Sequence, residues 1–527
     1  MNALRTECIE RAVAEIQDCL VVGAGINGAV AAAALTGRVA KVTVIDKGDF
    51  SSCTSQESSN LAWGGIKYLE NYEFKLVWNL CKSRNRLLDA YPNQVKEIRF
   101  FTCIAKGFRK SHVLIYLGAI LYWFMGRCKT RFPRVLSRRV IQREAPMVKT
   151  ASLAGGLEYS DCYFVENDAR FVFGFIRKVL KQGHCAINYM ELLSAEWKEE
   201  LWCCTLRDHA VGGTVKLRAR SIVNAAGPFV DILNERFGVQ SPFRHLFSKG
   251  VHIIVPQIIE VKRVLTFFAS DGRLFFMAPM GGKTCIGTTD TPTDSETAEP
   301  SDDDLDFLIS NANTLLKLDR PLIKEDIIST RCGVRPLVIR RGVEVGLRDW
   351  TALSRRHEVS IHTDRKLCSI YGGKLTDCLN VGEEVADAVI SFGLQKGGAP
   401  ERWYGEPSSD ERRQFEAKSK ELGLNTGFYK HLWRRYGSDA FGCLEKIEED
   451  SGMAERVIGQ YTRAELHLMA EREMIIHLED FLRRRTQLAL TEPRDTMCKE
   501  SGLQEACRIL FGEQSESEYN RFFGLHD

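Results

Sequence analysis

The apolar positions of the chain first gather into a short unbroken run, Cys19 to Val22. A run without polar alternation predicts a strand buried on both faces of a parallel sheet. It ends at Gly23-Ala-Gly25-Ile-Asn27-Gly28. Ala29 to Leu35, almost all small and apolar, then predicts a tightly packed helix. Lys41-Val-Thr-Val-Ile45-Asp46 reads as a second strand closed by an acid, and Ser221-Ile-Val-Asn-Ala-Ala226-Gly227 as a later strand ending in small residues. Between 245 and 290, short apolar runs such as His252-Ile-Ile-Val255 and Leu274-Phe-Phe-Met277 alternate with turns, the pattern of a sheet. From 409 to 490, Glu, Lys, Arg and Leu recur at helical spacing with few prolines. Gly397-Gly398-Ala-Pro400 marks a linker before them.

The first strand, the glycines and the helix together form a dinucleotide loop. Gly23 permits the tight turn, Gly25 lets the backbone approach a pyrophosphate, and Gly28 lets helix pack on strand. The helix N-terminus offers free N–H groups and partial positive charge to the phosphates. Asp46 stands where an acid accepts from a ribose 2′-hydroxyl. The loop alone does not choose between FAD and NAD. The hydroxyl-rich stretch Gly48 to Asn60, leading into Trp63-Gly64-Gly65-Ile-Lys67-Tyr68, is able to follow a pyrophosphate towards an isoalloxazine ring.

One apolar run stands apart. Val113 to Gly126 is uncharged and carries Tyr116, Tyr122, Trp123 and Phe124. It is too short to span a bilayer. Arg109 and Lys110 precede it, and Arg127, Lys129, Arg131, Arg134, Arg138, Arg139 and Arg143 follow. That is the composition of an interfacial anchor, and equally of a core helix with a solvated basic turn. The whole-chain net charge of +3 decides nothing about partners, and no nucleic-acid partner is expected. The 17 cysteines are scattered without a C-x-x-C pair, which predicts reduced thiols in a cytoplasmic compartment and no metal site. Residues 1–17, with Glu7, Glu10 and Glu15, do not read as a targeting peptide.

The order of motifs resembles one family, the FAD-dependent glycerol-3-phosphate dehydrogenases. The likeness runs through Gly23-Ala-Gly-Ile-Asn-Gly28, Lys47-Gly-Asp-Phe50, Thr54-Ser55, Gly64-Gly65, Tyr68-Leu-Glu70, Glu158-Tyr-Ser-Asp-Cys162 and Asn167-Asp-Ala-Arg170. It continues through Lys249-Gly250 with His252, Ile286-Gly-Thr-Thr-Asp290, Gly333-Val-Arg-Pro336, Gly372-Gly-Lys-Leu-Thr376, Tyr436-Gly-Ser438, Ala464-Glu-Leu466 and Arg483-Arg-Arg-Thr486. The resemblance implies an α/β (α+β overall) fold. A Rossmann-like FAD-binding domain (1–90, 150–240 and 330–395) is interleaved with an antiparallel-sheet substrate domain (91–149 and 241–329). A C-terminal helical cap domain (400–527) follows.

The implied reaction is oxidation of sn-glycerol 3-phosphate to dihydroxyacetone phosphate, with hydride passing to FAD and electrons to a membrane quinone. The protein would sit peripherally on the inner face of the cell membrane, with a homodimer left open. Implied cofactor contacts are Gly23, Gly25, Asn27, Gly28, Asp46, Lys47, Thr54, Ser55, Ser59, Gly64, Gly65, Ala226, Gly227, Gly372 and Gly373. Implied catalytic residues are His252, an imidazole expected to titrate near neutrality, with Arg335 and Lys374. Lys67, Tyr68, Arg355 and Thr376 would contact substrate. Where the family reads His-Gly-Gly-Leu-Arg-Tyr, this chain has Trp63-Gly-Gly-Ile-Lys67-Tyr. Lys67 keeps the charge and loses the guanidinium fork. An oxidase, a dehydrogenase of another 2-hydroxy compound, and a flavoprotein without turnover therefore stay open.

Overall fold

The computed structural model describes residues 2–108, 111–260, 262–269, 271–343, 356–394 and 402–525. Arg355, Arg109, Lys110 and the linker at 397–400 lie outside them. Six strands form a sheet in the order Glu358–His362, Leu367–Tyr371, Ile222–Asn224, Cys19–Val22, Val42–Ile45, Cys185–Ile187. The pairs are parallel except at the Glu358–His362 edge. Cys19–Val22 and Val42–Ile45 are buried throughout, as their unbroken apolar runs predict. Helix Ile26–Thr36 packs against helices Asp168–Lys181 and Cys378–Ile390. Its buried alanines, Ala29 and Ala31 to Ala34, permit that close approach.

A second, ten-stranded sheet is antiparallel save where Arg263–Phe268 runs parallel to Val95–Ala105. At one side of it Phe243–Val255 pairs with Ser329–Arg340, which sets His252 opposite Arg331 and Ser248 opposite Arg335. Leu153–Phe164 pairs in this sheet with Val95–Ala105. Leu153–Phe164, and Ser329–Arg340 from its second residue on, fall within ranges expected for the dinucleotide part. A local pattern tells that a strand forms, not which sheet it joins.

A helical C-terminal part follows, with a core of Phe415, Leu432, Tyr436, Leu466 and Leu482. Helices Ser409–Glu421 and Arg463–Arg472 each start with a capping box, Ser408 with Glu411 and Thr462 with Glu465.

Val113 to Gly126 becomes helix His112–Met125. Ala119, Tyr122 and Met125 face inward, while Leu114, Leu117, Leu121 and Phe124 form an exposed stripe, Phe124 at 59% exposure. Spacings of three and four residues put them on one face. No helix among the described residues is long and apolar enough to cross a membrane.

Candidate active site

A cavity of about 660 Å³ opens at the C-terminal ends of Cys19–Val22 and Val42–Ile45, where ligands bind in open α/β sheets. Gly23, Gly25, Asp46, Lys47, Thr54, Ser55, Ala226 and Gly227 line it, with Met190, Leu192, Phe229 and Leu233 supplying apolar wall. Gly23 has φ +99° and no room for a side chain, since a Cβ would stand 2.5 Å from the Ala225 carbonyl oxygen. A Cβ on Gly28 would stand 1.7 Å from the Gly23 carbonyl oxygen, so Gly28 packs the turn and does not line the cavity. The Ile26 N–H, at the helix start, donates to Ser55 Oγ at 2.9 Å. Asp46 accepts from the Ala24 N–H on Oδ2 (2.6 Å) and the Gly48 N–H on Oδ1 (3.0 Å), tying the two strand ends together. Burial raises its pKa to about 6. Lys47 Nζ lies 3.4 Å from the Phe229 ring centroid.

These features fit a dinucleotide such as FAD. The backbone is bare where a pyrophosphate would approach, and Asn27 Oδ1 is buried with no hydrogen-bond partner while its Nδ2 donates to the Gly372 carbonyl at 2.8 Å. That unspent acceptor lies 3.2 Å from where a Cβ on Gly373 would stand.

The remaining expected residues meet where three segments come together. Thr54 Oγ1 donates to the Val334 carbonyl at 2.8 Å, and a Gly372 Cβ would lie 3.5 Å from the Pro336 carbonyl oxygen. Arg335 is thus carried between the hydroxyl-rich loop and the second glycine pair. Its Nη2 donates to Thr288 Oγ1 (2.7 Å) and Nη1 to the Thr289 carbonyl (3.2 Å), with Asp290 Oδ1 3.5 Å away. Lys374 Nζ donates to Tyr68 Oη at 2.8 Å, and Thr376 Oγ1 to the Trp63 carbonyl at 3.2 Å. Trp63 packs on Tyr68 and Phe276, with ring centroids 5.9 and 6.4 Å away, and its indole N–H donates to Tyr159 Oη at 3.3 Å. Lys67 lies in the turn Ile66–Asn71 that carries Tyr68.

Gly64 and Gly65 do not line the cavity. Gly64 leaves room for the Tyr122 hydroxyl, which would stand 2.2 Å from a Cβ, and Gly65, at φ +81°, leaves room for the Tyr68 ring. Ser59 is likewise off the cavity wall. Its Oγ is 2.9 Å from His252 Nε2.

His252 departs from the expectation of titration near neutrality. Burial, then the charges of Arg335 and Arg331, hold its pKa well below the usual imidazole range, so the ring is neutral. Its Nδ1 has no hydrogen-bond partner. Gly287 makes the space for the ring, since a Cβ there would stand 2.2 Å from His252 Cδ2.

Sequence reasoning missed Arg331, fully buried against Asp168 at 2.7 Å. No local signal reveals a partner 163 residues away. It also gave no task to Thr288, Thr289 and Gly287, although all three lie in a motif it singled out.

The family model for FAD dependent oxidoreductases matches residues 18–375. The chain belongs to this family. The model for the C-terminal domain of alpha-glycerophosphate oxidase matches residues 397–500. The aerobic glycerol-3-phosphate dehydrogenase of Escherichia coli (strain K12) is 29% identical over 491 residues, covering 90% of this chain and 94% of that protein. The D-erythritol 1-phosphate dehydrogenase of Brucella abortus (strain 2308) is 30% identical over 494 residues, covering 91% and 96%. The crystal structure of the glycerol-3-phosphate dehydrogenase from Bacillus halodurans, complexed with FAD, superposes with a TM-score of 0.76 at 25% identity, covering 99% of this chain and 96% of that one. This FAD-dependent oxidoreductase therefore has relatives that match it along nearly their whole length. The fold is a dinucleotide-binding α/β part interleaved with a largely antiparallel sheet, followed by a helical part.

Proposed function

We propose that this protein oxidises the C2 alcohol of sn-glycerol 3-phosphate to dihydroxyacetone phosphate and passes the electrons to a quinone at the inner face of the cell membrane. The observation that carries the reading is the meeting of Arg335, Lys374, Tyr68 and the Ser59–His252 pair on segments that touch one another beside a dinucleotide cavity. FAD, when bound through the glycine loop, Asp46, Thr54 and Ser55, supplies the hydride acceptor for C2.

The chain's own residues do the rest. Arg335 is aimed before substrate arrives, because Thr288 and Thr289 already hold its guanidinium, and a fixed fork suits a phosphate dianion. Lys374 and Tyr68 offer a second cation and a hydroxyl donor. Ser59 is half-buried and His252 buried. A proton leaving the C2 hydroxyl therefore reaches His252 Nε2 through Ser59 Oγ, and a neutral imidazole is the form that accepts it. The exposed stripe Leu114–Leu117–Leu121–Phe124 supports peripheral contact with lipid.

The test is anaerobic addition of glycerol 3-phosphate to the purified protein. The expected result is bleaching of the flavin band, and an unchanged yellow spectrum overturns the reading. Steady-state assay with oxygen against a quinone then assigns the acceptor.

Trp63 and Lys67 favour a second reading of the substrate, as does the similarity to a D-erythritol 1-phosphate dehydrogenase. The same cations would then hold a longer polyol phosphate. Comparing kcat/KM for the two phosphates decides between them.

A further inference from the structure

The loop 49–60 has two faces. One lines the cavity through Ser51, Ser52, Cys53, Thr54 and Ser55. The other is turned towards the C-terminal helical part, whose segment Asp480–Arg485 brings three consecutive buried arginines against it. Arg483 Nη2 donates to the Gln56 carbonyl (2.9 Å) and to Glu57 Oε2 (3.0 Å). Arg484 donates through Nε to Asp49 Oδ2 (2.7 Å) and through Nη1 to Gln56 Oε1 (3.2 Å). Arg485 grips both Asp49 oxygens, at 2.8 and 2.9 Å. From the antiparallel sheet, Arg331 donates to the same Gln56 carbonyl at 2.8 Å and to the Ser58 carbonyl at 2.5 Å. One backbone carbonyl on the cofactor loop is thus held by guanidinium groups from two different parts of the molecule.

So many desolvated charges are a poor way to gain stability, because the cost of taking ions out of water roughly cancels their attraction. What the cluster does supply is position. With Asp49, Gln56 and Glu57 pinned from outside, Ser55 stays on the N-terminus of helix Ile26–Thr36 and Thr54 on Val334.

We infer that Arg483 and Arg484 are positioning residues for the cofactor, through which the C-terminal helical part clamps the loop 49–57 against the dinucleotide cavity. The clamp rests on the reading of that cavity as the FAD site. Arg485 shares the task, but it also stacks on Phe173 at 4.2 Å and donates to the Glu473 carbonyl, so its loss would damage more than the loop. Arg484 also donates to Asp480 Oδ1 (2.6 Å) and Glu479 Oε1 (3.3 Å) within its own segment, whereas Arg483 donates to Gln56 and Glu57 on the loop, so Arg483 is the more selective probe.

The experiment uses the full chain, stripped of flavin and titrated with FAD, for the native protein and for Arg484→Ala, Arg483→Ala, Arg483→Lys and Glu57→Gln. The dissociation constant is read from flavin fluorescence, the visible circular dichroism of bound flavin reports its surroundings, and thermal melting of each apoprotein reports the fold. Loss of a charged hydrogen bond to the loop predicts an FAD dissociation constant raised roughly ten- to a hundredfold, with an altered visible dichroism. Arg483→Lys should recover part of the loss, since an ammonium can keep Glu57 but not both partners in one plane. A merely structural cluster gives lower apoprotein melting temperatures with an unchanged dissociation constant and dichroism, which overturns the inference. If Arg484→Ala fails to fold, Arg483→Lys and Glu57→Gln, which leave most of the cluster intact, must still weaken FAD, and normal affinity in both overturns it. Failure of the native protein to bind FAD is a separate result, and it removes the reading of the cavity instead.

Discussion

The guanidinium of Arg335 occupies the space that a side chain on Gly250 would need. A Cβ at Gly250 would stand 2.1 Å from Arg335 Nη2 and 2.2 Å from its Cζ. The two lie on paired strands, Arg335 opposite Ser248 and Gly250 opposite Gly333, so the arginine crosses its neighbour strand over a bare backbone and reaches Thr288 and Thr289. Gly250→Ala should therefore push the guanidinium off those partners while leaving the dinucleotide cavity untouched. The expected outcome is retained flavin and a kcat/KM lowered about tenfold or more, against roughly a hundredfold or more for Arg335→Ala. Arg335→Lys should recover only part of that loss, lacking the fork. A normal kcat/KM in Arg335→Ala would take this residue out of the substrate site, and a fall in melting temperature and flavin occupancy alone would make it a structural ion-pair partner.

Gly25 faces the cavity and, unlike Gly23 and Gly28, has no backbone crowding it: a Cβ would meet only the Ser55 side chain, its Oγ at 3.1 Å. Gly25→Val should consequently fold but fill the space a pyrophosphate needs and disturb the Ser55 contact. Far-ultraviolet dichroism should stay native while the flavin absorbance disappears. Full flavin content in that variant would refute the placement of the cofactor.

The dinucleotide half was legible because its signals are local. An unbroken apolar run, three spaced glycines and an alanine-rich helix lie within one short stretch, and each follows from packing or turn geometry. The candidate site beside it could be proposed only from motif order, since Arg335 and Lys374 are carried there by strand register and loop contacts that no spacing encodes, and Ser59, expected as a cofactor contact, sits instead against His252. The protonation state of His252 could not be read at all. Residue type suggests a group titrating near neutrality, whereas burial against Arg331 and Arg335 is a property of the assembled sheet. The helix His112–Met125 is a similar case, for composition does not tell which of its faces is buried, and the exposed stripe is a property of the folded chain.

A neutral His252 has consequences for pH. Its folded pKa lies below its unfolded value, so the unfolded chain binds the extra proton and stability contributed by this site is lost as pH falls below about 6.5. Catalysis should show no acidic limb near that pH from this ring, because the accepting form is present throughout. A kcat/KM profile with a break at about 6.5 that vanishes in His252→Asn would contradict the assignment.

His357 carries the opposite sign. Burial alone would lower its pKa, but Asp377 and Glu384, each 2.9 Å from a ring nitrogen, raise it to about 9. Its stabilisation is fully present below the unfolded value near 6.5 and is lost as pH rises through the folded value. Melting temperatures of the native protein and His357→Gln should be furthest apart at mildly acidic pH and converge towards the alkaline side of 9. A gap independent of pH would show that the ring is not the titrating group.

Helix His112–Met125 carries an exposed apolar stripe. Leu114, Leu117, Leu121 and Phe124 form one apolar face, and Phe132 and Val135 beyond the helix are exposed as well. Trp123 extends the surface by packing on Phe132, with ring centroids 4.9 Å apart. Contiguous exposed apolar area of this kind marks a surface that meets something other than water. The basic flank is partly neutralised by Lys129 with Asp89, Arg131 with Glu97, and Arg134 with Glu144, while Arg127, Arg138 and Arg139 remain exposed. Attraction to anionic headgroups should therefore be modest and salt-sensitive, decaying over a Debye length of about 8 Å at physiological ionic strength, with apolar insertion supplying the rest. Sedimentation with vesicles containing phosphatidylserine should carry the native protein down. Salt alone should release part of it and salt with mild detergent all of it. Leu117→Glu and Phe124→Glu should leave turnover with a soluble dye acceptor unchanged, since neither side chain touches the cavity, while abolishing vesicle binding and slowing reduction of a quinone embedded in the bilayer. A native protein that ignores anionic vesicles would rule out the lipid anchor, and the stripe would then have to be covered by protein.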